Sequence, residues 1–352
     1  MRIVIGTGGT GGHLFPALKV ADCLKEDGHE VFFIGAFGVG VEKIKAKGYR
    51  FLNHDAIGLK SGFSNTLRSS SKMFGAFFSS IGILRELNPQ RVLGFGGYGS
   101  FPVVAAAVIL RIPTIIHEQN VLPGRANKML AFFVNKIAIS FKKSQDFLGY
   151  KKTVLTGCPC HFTERKVSKE QILKDFGLDI GKVTLLVFGG SQGSHRINQV
   201  FVEMLGLLKD SLNCQVIHAC GKKDVEELKV KYQQLNVPFA LFSFIDNIED
   251  AYAVADCVIS RAGAGTVTEI ALHQIPAVLI PYPFAYGHQK ENAYVLSEVN
   301  LARVIEEENL SVETLKEAIV ENLKISTPVR IPDQVCFPDA EERLAREVIS
   351  LK

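Results

Sequence analysis

The residues of this chain that are suited to chemistry stand beside glycines. The run Gly6-Thr7-Gly8-Gly9-Thr10-Gly11-Gly12-His13 follows an apolar stretch, Arg2-Ile3-Val4-Ile5. After it, Leu14, Ala17, Leu18, Ala21 and Leu24 recur at helical spacing. Strand, glycine loop and helix in that order form a phosphate-binding design. Glycines let the backbone approach an anion closely, and the free N–H groups of a helix start point at it with the positive end of the dipole. A near copy, Gly189-Gly190-Ser191-Gln192-Gly193-Ser194-His195, follows the apolar run Val183 to Phe188. A third glycine loop spans Gly94 to Pro102, and the next apolar run ends in His117-Glu118-Gln119-Asn120. Four hydrogen-bonding side chains in succession are costly to bury unless something meets them, although a polar surface loop has the same composition. A fourth loop, Ala262-Gly263-Ala264-Gly265, opens another helix with Arg261 beside its positive end, which suits a diphosphate. Glu269 either caps that helix, in the Thr266-x-x-Glu269 capping-box spacing, or accepts the two hydroxyls of a ribose. Gln289 and Asn292, three residues apart near a helix start, can point the same way.

These loops need strands to hold them. Gly6-x-Gly8-x-x-Gly11 satisfies a dinucleotide fingerprint. The second strand, Glu30 to Ile34, however, ends in Gly35-Ala36-Phe37, without the acidic residue that would hold an NAD ribose. Apolar runs near 2–5, 30–34, 50–53, 91–95, 113–117, 136–139 and 153–156 read as strands alternating with helices. A second series follows near 183–188, 214–219, 238–242, 256–260 and 277–281. The expected fold class is therefore α/β, two Rossmann-like doubly wound parallel-sheet domains facing an interdomain cleft. The expected boundaries are residues 1–160, residues 161–335, and a C-terminal helix over 336–352 that could pack back on the first domain.

Composition narrows the classes. At 352 residues, 47% hydrophobic and 22% charged, the chain is long enough for two folded domains. The apolar run after Arg2 stops at Gly6, which speaks against a signal peptide. The stretch Phe101 to Leu110 is about half of the roughly 20 residues that span a bilayer. Seven cysteines without repeating spacing point to a reducing compartment, and Cys158-Pro159-Cys160 alone is a poor zinc site. No Asp-x-Asp offers paired carboxylates to a metal, so a diphosphate would rely on helix dipoles and cations. The net charge of +4 is uneven: residues 1–160 hold 20 Lys and Arg against nine Asp and Glu, the remainder 20 against 27. A basic half suits an anionic partner. Phe74, Phe77, Phe78, Ile81 and Leu84, with Arg68, Lys72 and Arg85 nearby, have the pattern of an interfacial helix on anionic lipid, and equally of a core stripe. Nucleic acid is the weaker partner, since stacking aromatics at regular intervals are missing.

The strings GGTGGHLFPAL, GFGGYGSFP, HEQNVLPGRANK, GGSQGSHRIN and SRAGAGTVTE, followed by PYPFAYGHQKENA, resemble in this order the MurG-type N-acetylglucosaminyltransferases of peptidoglycan synthesis. The resemblance covers nearly the whole chain. It implies the GT-B fold and inverting transfer of N-acetylglucosamine from its UDP donor to the 4-hydroxyl of N-acetylmuramic acid on undecaprenyl diphosphate. That reaction turns lipid I into lipid II at the cytoplasmic face of the bacterial inner membrane, with links to cell shape, cell division and other cell-wall synthesis proteins. By the same resemblance the donor contacts fall on Thr10, Gly11, Gly12, Asn120, Ser191, Gln192, Ile245, Ala264, Gly265, Thr266, Val267, Thr268, Glu269, Gln289 and Asn292, with Arg261 added by its place beside the helix start. The acceptor side falls on Gly96, Gly97, Tyr98, Glu118 and Gln119. Where the family reads Gly-Asn-Pro-Val-Arg, this chain reads Gly157-Cys158-Pro159-Cys160-His161, and a shorter, partly charged His161 replaces the arginine. Inversion needs one base for the acceptor hydroxyl, and His13 at a helix start is the candidate, with a helix-start hydrogen bond as its plainer role. No tightly bound cofactor is expected, and a divalent metal would assist without a fixed protein site. The rival readings are a dehydrogenase, another GT-B transferase using a UDP-sugar on a lipid or small-molecule acceptor, and a non-catalytic binding protein.

Overall fold

A computed structural model describes the chain except residues 55–62, 150–151, 161, 163–166, 191–192, 285 and 326–334, and the side chains of 39 and 63–70. The chain divides into two compact units, Met1–Cys160 with Asp333–Lys352, and His161–Pro332.

The first unit is built on β1 (Arg2–Gly8), β2 (Glu30–Ala36), β3 (Arg50–Asn53), β4 (Arg91–Gly94), β5 (Thr114–Glu118), β6 (Lys136–Ile139) and β7 (Thr153–Leu155). They form one parallel sheet in the order β3-β2-β1-β4-β5-β6-β7. Ile3, Val4 and Ile5 are fully buried, because helices cover both faces and a strand buried on both sides reads as a continuous apolar run. One face packs on Leu14, Ala17, Leu18, Ala21 and Leu24 of the helix Gly11–Glu26. The other packs on Val103, Val104 and Ala107 of the helix Gly97–Ile109.

The second unit contains β8 (Val183–Phe188), β9 (Cys214–Ala219), β10 (Phe239–Phe242), β11 (Cys257–Ser260), β12 (Ala277–Leu279) and β13 (Ala302–Val304), in the order β10-β9-β8-β11-β12-β13. The sequence pattern misses β13. Three residues are too few to show a period, and Asn300 just before them turns the chain with φ 57°.

Strand order fixes where loops can diverge. In the first sheet the order reverses between β1 and β4, in the second between β8 and β11, and ligands of such folds bind at the carboxyl ends of strands at this switch. The loops after those four strands are the four glycine loops.

The helix Phe63–Leu87 departs from the interfacial expectation. Leu84 is buried, and Phe77 and Ile81 pack against the first unit's core, so most of the apolar stripe is core. Phe74 and Phe78 remain exposed, as does Arg85, whereas Lys72 is half-buried and the Arg68 side chain lies outside the described residues.

The C-terminal helix Ala340–Ile349 lies against the helix Gly11–Glu26, with Leu344, Ala345 and Val348 buried in the core beneath β1 and β2. Leu344→Ala should lower the unfolding free energy by about 2–5 kcal/mol, because the cavity adds to the lost transfer energy. Urea denaturation followed by circular dichroism measures it, and an unchanged midpoint would show the helix to be dispensable.

Candidate active site

In the first unit β1 runs on through Gly8, and the Thr10 carbonyl accepts the N–H groups of His13 and Leu14, both at 3.0 Å, to open the helix. His13 thus sits in the first turn, half-buried, at the carboxyl end of a central strand. Its ring lies against the loop after β4. Gly97 has φ 74°, and a Cβ there would stand 3.0 Å from His13 Cδ2, so only glycine leaves the imidazole room. Thr10 and Gly12 are exposed and Gly11 is half-buried.

His13 Nδ1 lies 3.2 Å from Gln119 Oε1. Gln119 Nε2 is 3.1 Å from the Phe95 carbonyl and 3.1 Å from His117 Nδ1. His117 Nε2 is 2.9 Å from the Gly157 carbonyl. His117 is fully buried, and burial pushes its pKa down to about 4, so the ring is neutral near pH 7.

Glu118 and Gln119, expected on the acceptor side, are buried, 1% and 2% exposed. Glu118 Oε1 accepts from the Asn120 backbone N–H at 3.0 Å and its Nδ2 at 3.2 Å. Glu118 Oε2 accepts from the Gly124 N–H at 3.0 Å and Asn127 Nδ2 at 2.8 Å. The carboxylate folds the loop after β5, because a buried charge must collect donors and the nearest are in its own chain. Asn120, half-buried, is held by the same carboxylate. Gly96 is buried with φ 79° beside the Asn127 amide, while Tyr98, 37% exposed, presents its ring to solvent. Asn127 itself went unread in the sequence. Its signal was a lone amide among the apolar positions after Pro123.

In the second unit Ser191 and Gln192 lie outside the described residues, as does His161. His195 starts the helix His195–Leu208, its Nδ1 3.1 Å from Oδ1 of the buried Asp224. Arg261 is not poised for a diphosphate. Its guanidinium is buried, donating to the carbonyls of Ile280 and Pro281, to Ser194 Oγ and to Glu307, and it lies 5.4 Å from the Tyr282 ring centroid. It ties the loop after β11 to those after β8 and β12. Asn292, expected at the sugar, is wholly buried and donates to the Ala262 carbonyl at 3.2 Å. Gln289 is half-buried, its Oε1 accepting from the N–H groups of Ala262 and Tyr282. Both amides therefore fix the glycine loop. An amide near a strand end reads the same whether it meets a ligand or a backbone.

The helix Ala264–His273 begins after Gly263, with no side chain capping it, so Glu269 is not part of a capping box. Glu269 is half-buried and accepts from Tyr252 Oη at 3.0 Å. Gly265 and Thr266 are half-buried, and space beside Gly265 is open. Ala264 and Val267 are buried, and the buried Thr268 hydroxyl donates to the Ala264 carbonyl, so these three can offer backbone groups only. Ile245, also buried, follows the end of β10. Among the described residues no group of three His, Cys, Asp or Glu is placed to hold a metal ion.

Residues 3–139 match the family model of the glycosyltransferase family 28 N-terminal domain, and residues 184–331 that of its C-terminal domain. The chain is 38% identical to the UDP-N-acetylglucosamine--N-acetylmuramyl-(pentapeptide) pyrophosphoryl-undecaprenol N-acetylglucosamine transferase of Halothermothrix orenii, over 91% of this chain and 90% of that one. It is 38% identical to the transferase of the same name from Thermodesulfovibrio yellowstonii, over 91% and 89%. The crystal structure of Acinetobacter baumannii MurG superposes with a TM-score of 0.79 at 26% identity, covering 99% of both chains, which identifies the two sheets as the GT-B fold.

Glu118→Gln replaces one acceptor oxygen by an amide that must face an N–H donor. The variant should lose about 1–3 kcal/mol of stability, read as a lower urea midpoint. Wild-type stability would mean that the loop does not depend on the charge.

Proposed function

Because the chain belongs to glycosyltransferase family 28, we propose that it transfers N-acetylglucosamine from UDP-N-acetylglucosamine to the 4-hydroxyl of N-acetylmuramic acid on undecaprenyl-pyrophosphoryl-MurNAc-pentapeptide, with inversion. Relatives of this identity over nine tenths of the chain carry that activity in their names. The observation that supports it within the site is the position of His13, at the switch between β1 and β4, with one ring nitrogen braced by Gln119.

In this reading His13 takes the proton of the acceptor hydroxyl as its oxygen bonds to the anomeric carbon. The bond from that carbon to the diphosphate oxygen breaks, and UDP leaves with the electron pair. Thr10 to Gly12 contact the donor, and Tyr98 lines the acceptor's approach. The start of the helix Ala264–His273 offers backbone N–H groups to the leaving diphosphate, and Glu269, steadied by Tyr252, offers its carboxylate to the ribose. Gln289 and Asn292 act on the donor through the Ala262 loop they hold, and Ser191, Gln192 and His161 are assigned to the donor from the sequence alone. We place no tightly bound cofactor in the reaction, and assign any help from a divalent cation to the diphosphate itself.

A lipid-linked acceptor requires a membrane surface. No helix among the described residues is long and apolar enough to cross a membrane. The first unit instead exposes Phe74, Phe78, Ile109, Met129, Phe132 and Phe133, on helices that pack in succession and a following turn. Lys152 donates to the carbonyls of Phe132 and Val134 and so pins the turn that carries the adjacent phenylalanines, and Arg125 and Lys128 are exposed beside it. We assign this face to the anionic inner leaflet.

Labelled N-acetylglucosamine should pass from UDP to a lipid I analogue. His13→Ala should lower kcat by on the order of 10²–10⁴-fold with UDP-sugar binding by calorimetry nearly intact; unchanged turnover would remove the base assignment. Flotation with anionic vesicles should recover the protein in a salt-sensitive manner, and Phe132→Ser with Phe133→Ser should reduce recovery severalfold. Equal recovery of the double variant would exclude that turn as the contact.

A further inference from the structure

A histidine acts as a base through the nitrogen that lacks the proton, and the contacts around Gln119 decide which nitrogen that is. We propose that Gln119 and His117 are positioning residues that hold the proton of neutral His13 on Nδ1, so that the basic lone pair is the one on Nε2. This rests on the reading of His13 as the base.

The chain of hydrogen bonds can be resolved from its far end. The Gly157 carbonyl can only accept, so His117 must carry its proton on Nε2, 2.9 Å away. Ser140 Oγ, 3.5 Å from the same nitrogen, spends its proton on the Glu118 carbonyl at 3.1 Å and so leaves that assignment unchanged. Neutral His117, protonated on Nε2, presents a lone pair at Nδ1, and the group facing it must be a donor. Gln119 Nε2 is that donor, and it also faces the Phe95 carbonyl, a second pure acceptor. Turning the amide over would set its oxygen against two acceptors and its two N–H groups away from both, in a site that is 2% exposed. The orientation is therefore unique, and Gln119 Oε1 points at His13 Nδ1. An amide oxygen only accepts, so His13 Nδ1 carries the hydrogen.

The anchor of this relay is equally constrained. Gly157 has φ 85°, and a Cβ on it would come within 2.8 Å of the Phe337 ring and 3.1 Å of Ala340 Cβ. The C-terminal segment thus closes over the residue whose carbonyl sets the direction of the relay. Burial holds His117 neutral near pH 7, so the relay keeps its polarity there.

The test is a long-range proton–nitrogen correlation spectrum of the full chain, labelled with 15N-histidine and recorded without substrate at mildly alkaline pH. The His13 signals are assigned by their loss in His13→Gln. The expected result is a pyrrole-type Nδ1 and a pyridine-type Nε2 for His13, and the reverse for His117. Gln119→Leu removes the acceptor and should shift His13 toward the Nε2–H tautomer. It should lower kcat on the order of 100-fold or more while the KM for the UDP-sugar stays within about twofold. Gln119→Glu keeps an oxygen toward Nδ1 and should keep the Nδ1–H signature. An Nε2–H signature for His13 in the wild type overturns the proposal whether or not the variants fold, and so does an unchanged tautomer in Gln119→Leu. Because the spectrum needs no turnover, its failure is separable from a failure of His13→Ala to slow transfer.

Discussion

The carboxylate of Glu118, removed from water at the end of β5, gathers the loop that follows it around one buried charge. A buried charge is tolerable only if its lone pairs meet donors, and here four N–H groups from Asn120, Gly124 and Asn127 supply them. Meeting that demand bends residues 119–124 back on the strand and seats Asn127 under the glycine loop after β4. Gln119 is then held where its amide spans Phe95, His117 and His13. The strand end is thus tied down by hydrogen bonds within the unit, and the placing of the His13 imidazole follows from satisfying a buried charge.

The second unit meets the same demand with other residues. Asp224, buried, accepts from Asn198 Nδ2 at 2.7 Å and faces His195 Nδ1 at the helix start. Asn198 in turn meets the buried His218, which Tyr232 also contacts at 2.8 Å. Burial pushes the His218 pKa down to about 3, so its ring is neutral near pH 7. On the far side of β8, Arg261 satisfies two backbone carbonyls, a hydroxyl and Glu307 at once. Among the described residues of both units, the buried polar side chains at the strand ends chiefly hold loops.

That division explains what could be read from sequence. Parallel strands buried on both faces announce themselves as apolar runs, and the loops after them as glycine clusters, so twelve of the strands and the four loops were legible. The direction of a polar side chain was not. His117 to Asn120, Arg261 and Asn292 look alike whether they await a ligand or brace a backbone, since both uses need the same donors beside the same strand ends. The apolar stripe was ambiguous for a parallel reason. Phe74 and Phe78 stand outward while Phe77, Ile81 and Leu84 turn inward on one helix, and which half is covered depends on the neighbouring helix Gly97–Ile109. Phe132 and Phe133 escaped notice because nothing local shows that a turn will hold them out.

The first glycine loop illustrates how far a motif can mislead about its own purpose. Gly6 lies within β1, where a Cβ would press at 3.3 Å on Ser100 and Val103 of the covering helix. A Cβ on Gly9 would overlap the Phe37 carbonyl at 2.0 Å, and Gly8 borders the His13 ring. Gly6 and Gly9 therefore serve close packing of helix and sheet, Gly11 lies against the Phe15 ring, and of this loop's glycines only Gly12 opens on free space. A dinucleotide fingerprint needs those positions turned toward a pyrophosphate. With β1 extended through Gly8 and the helix begun at Gly11, too little loop remains to cradle one. The open backbone beside Gly265, at the start of an uncapped ten-residue helix, is better suited to an anion than the closed-up backbone of the first loop.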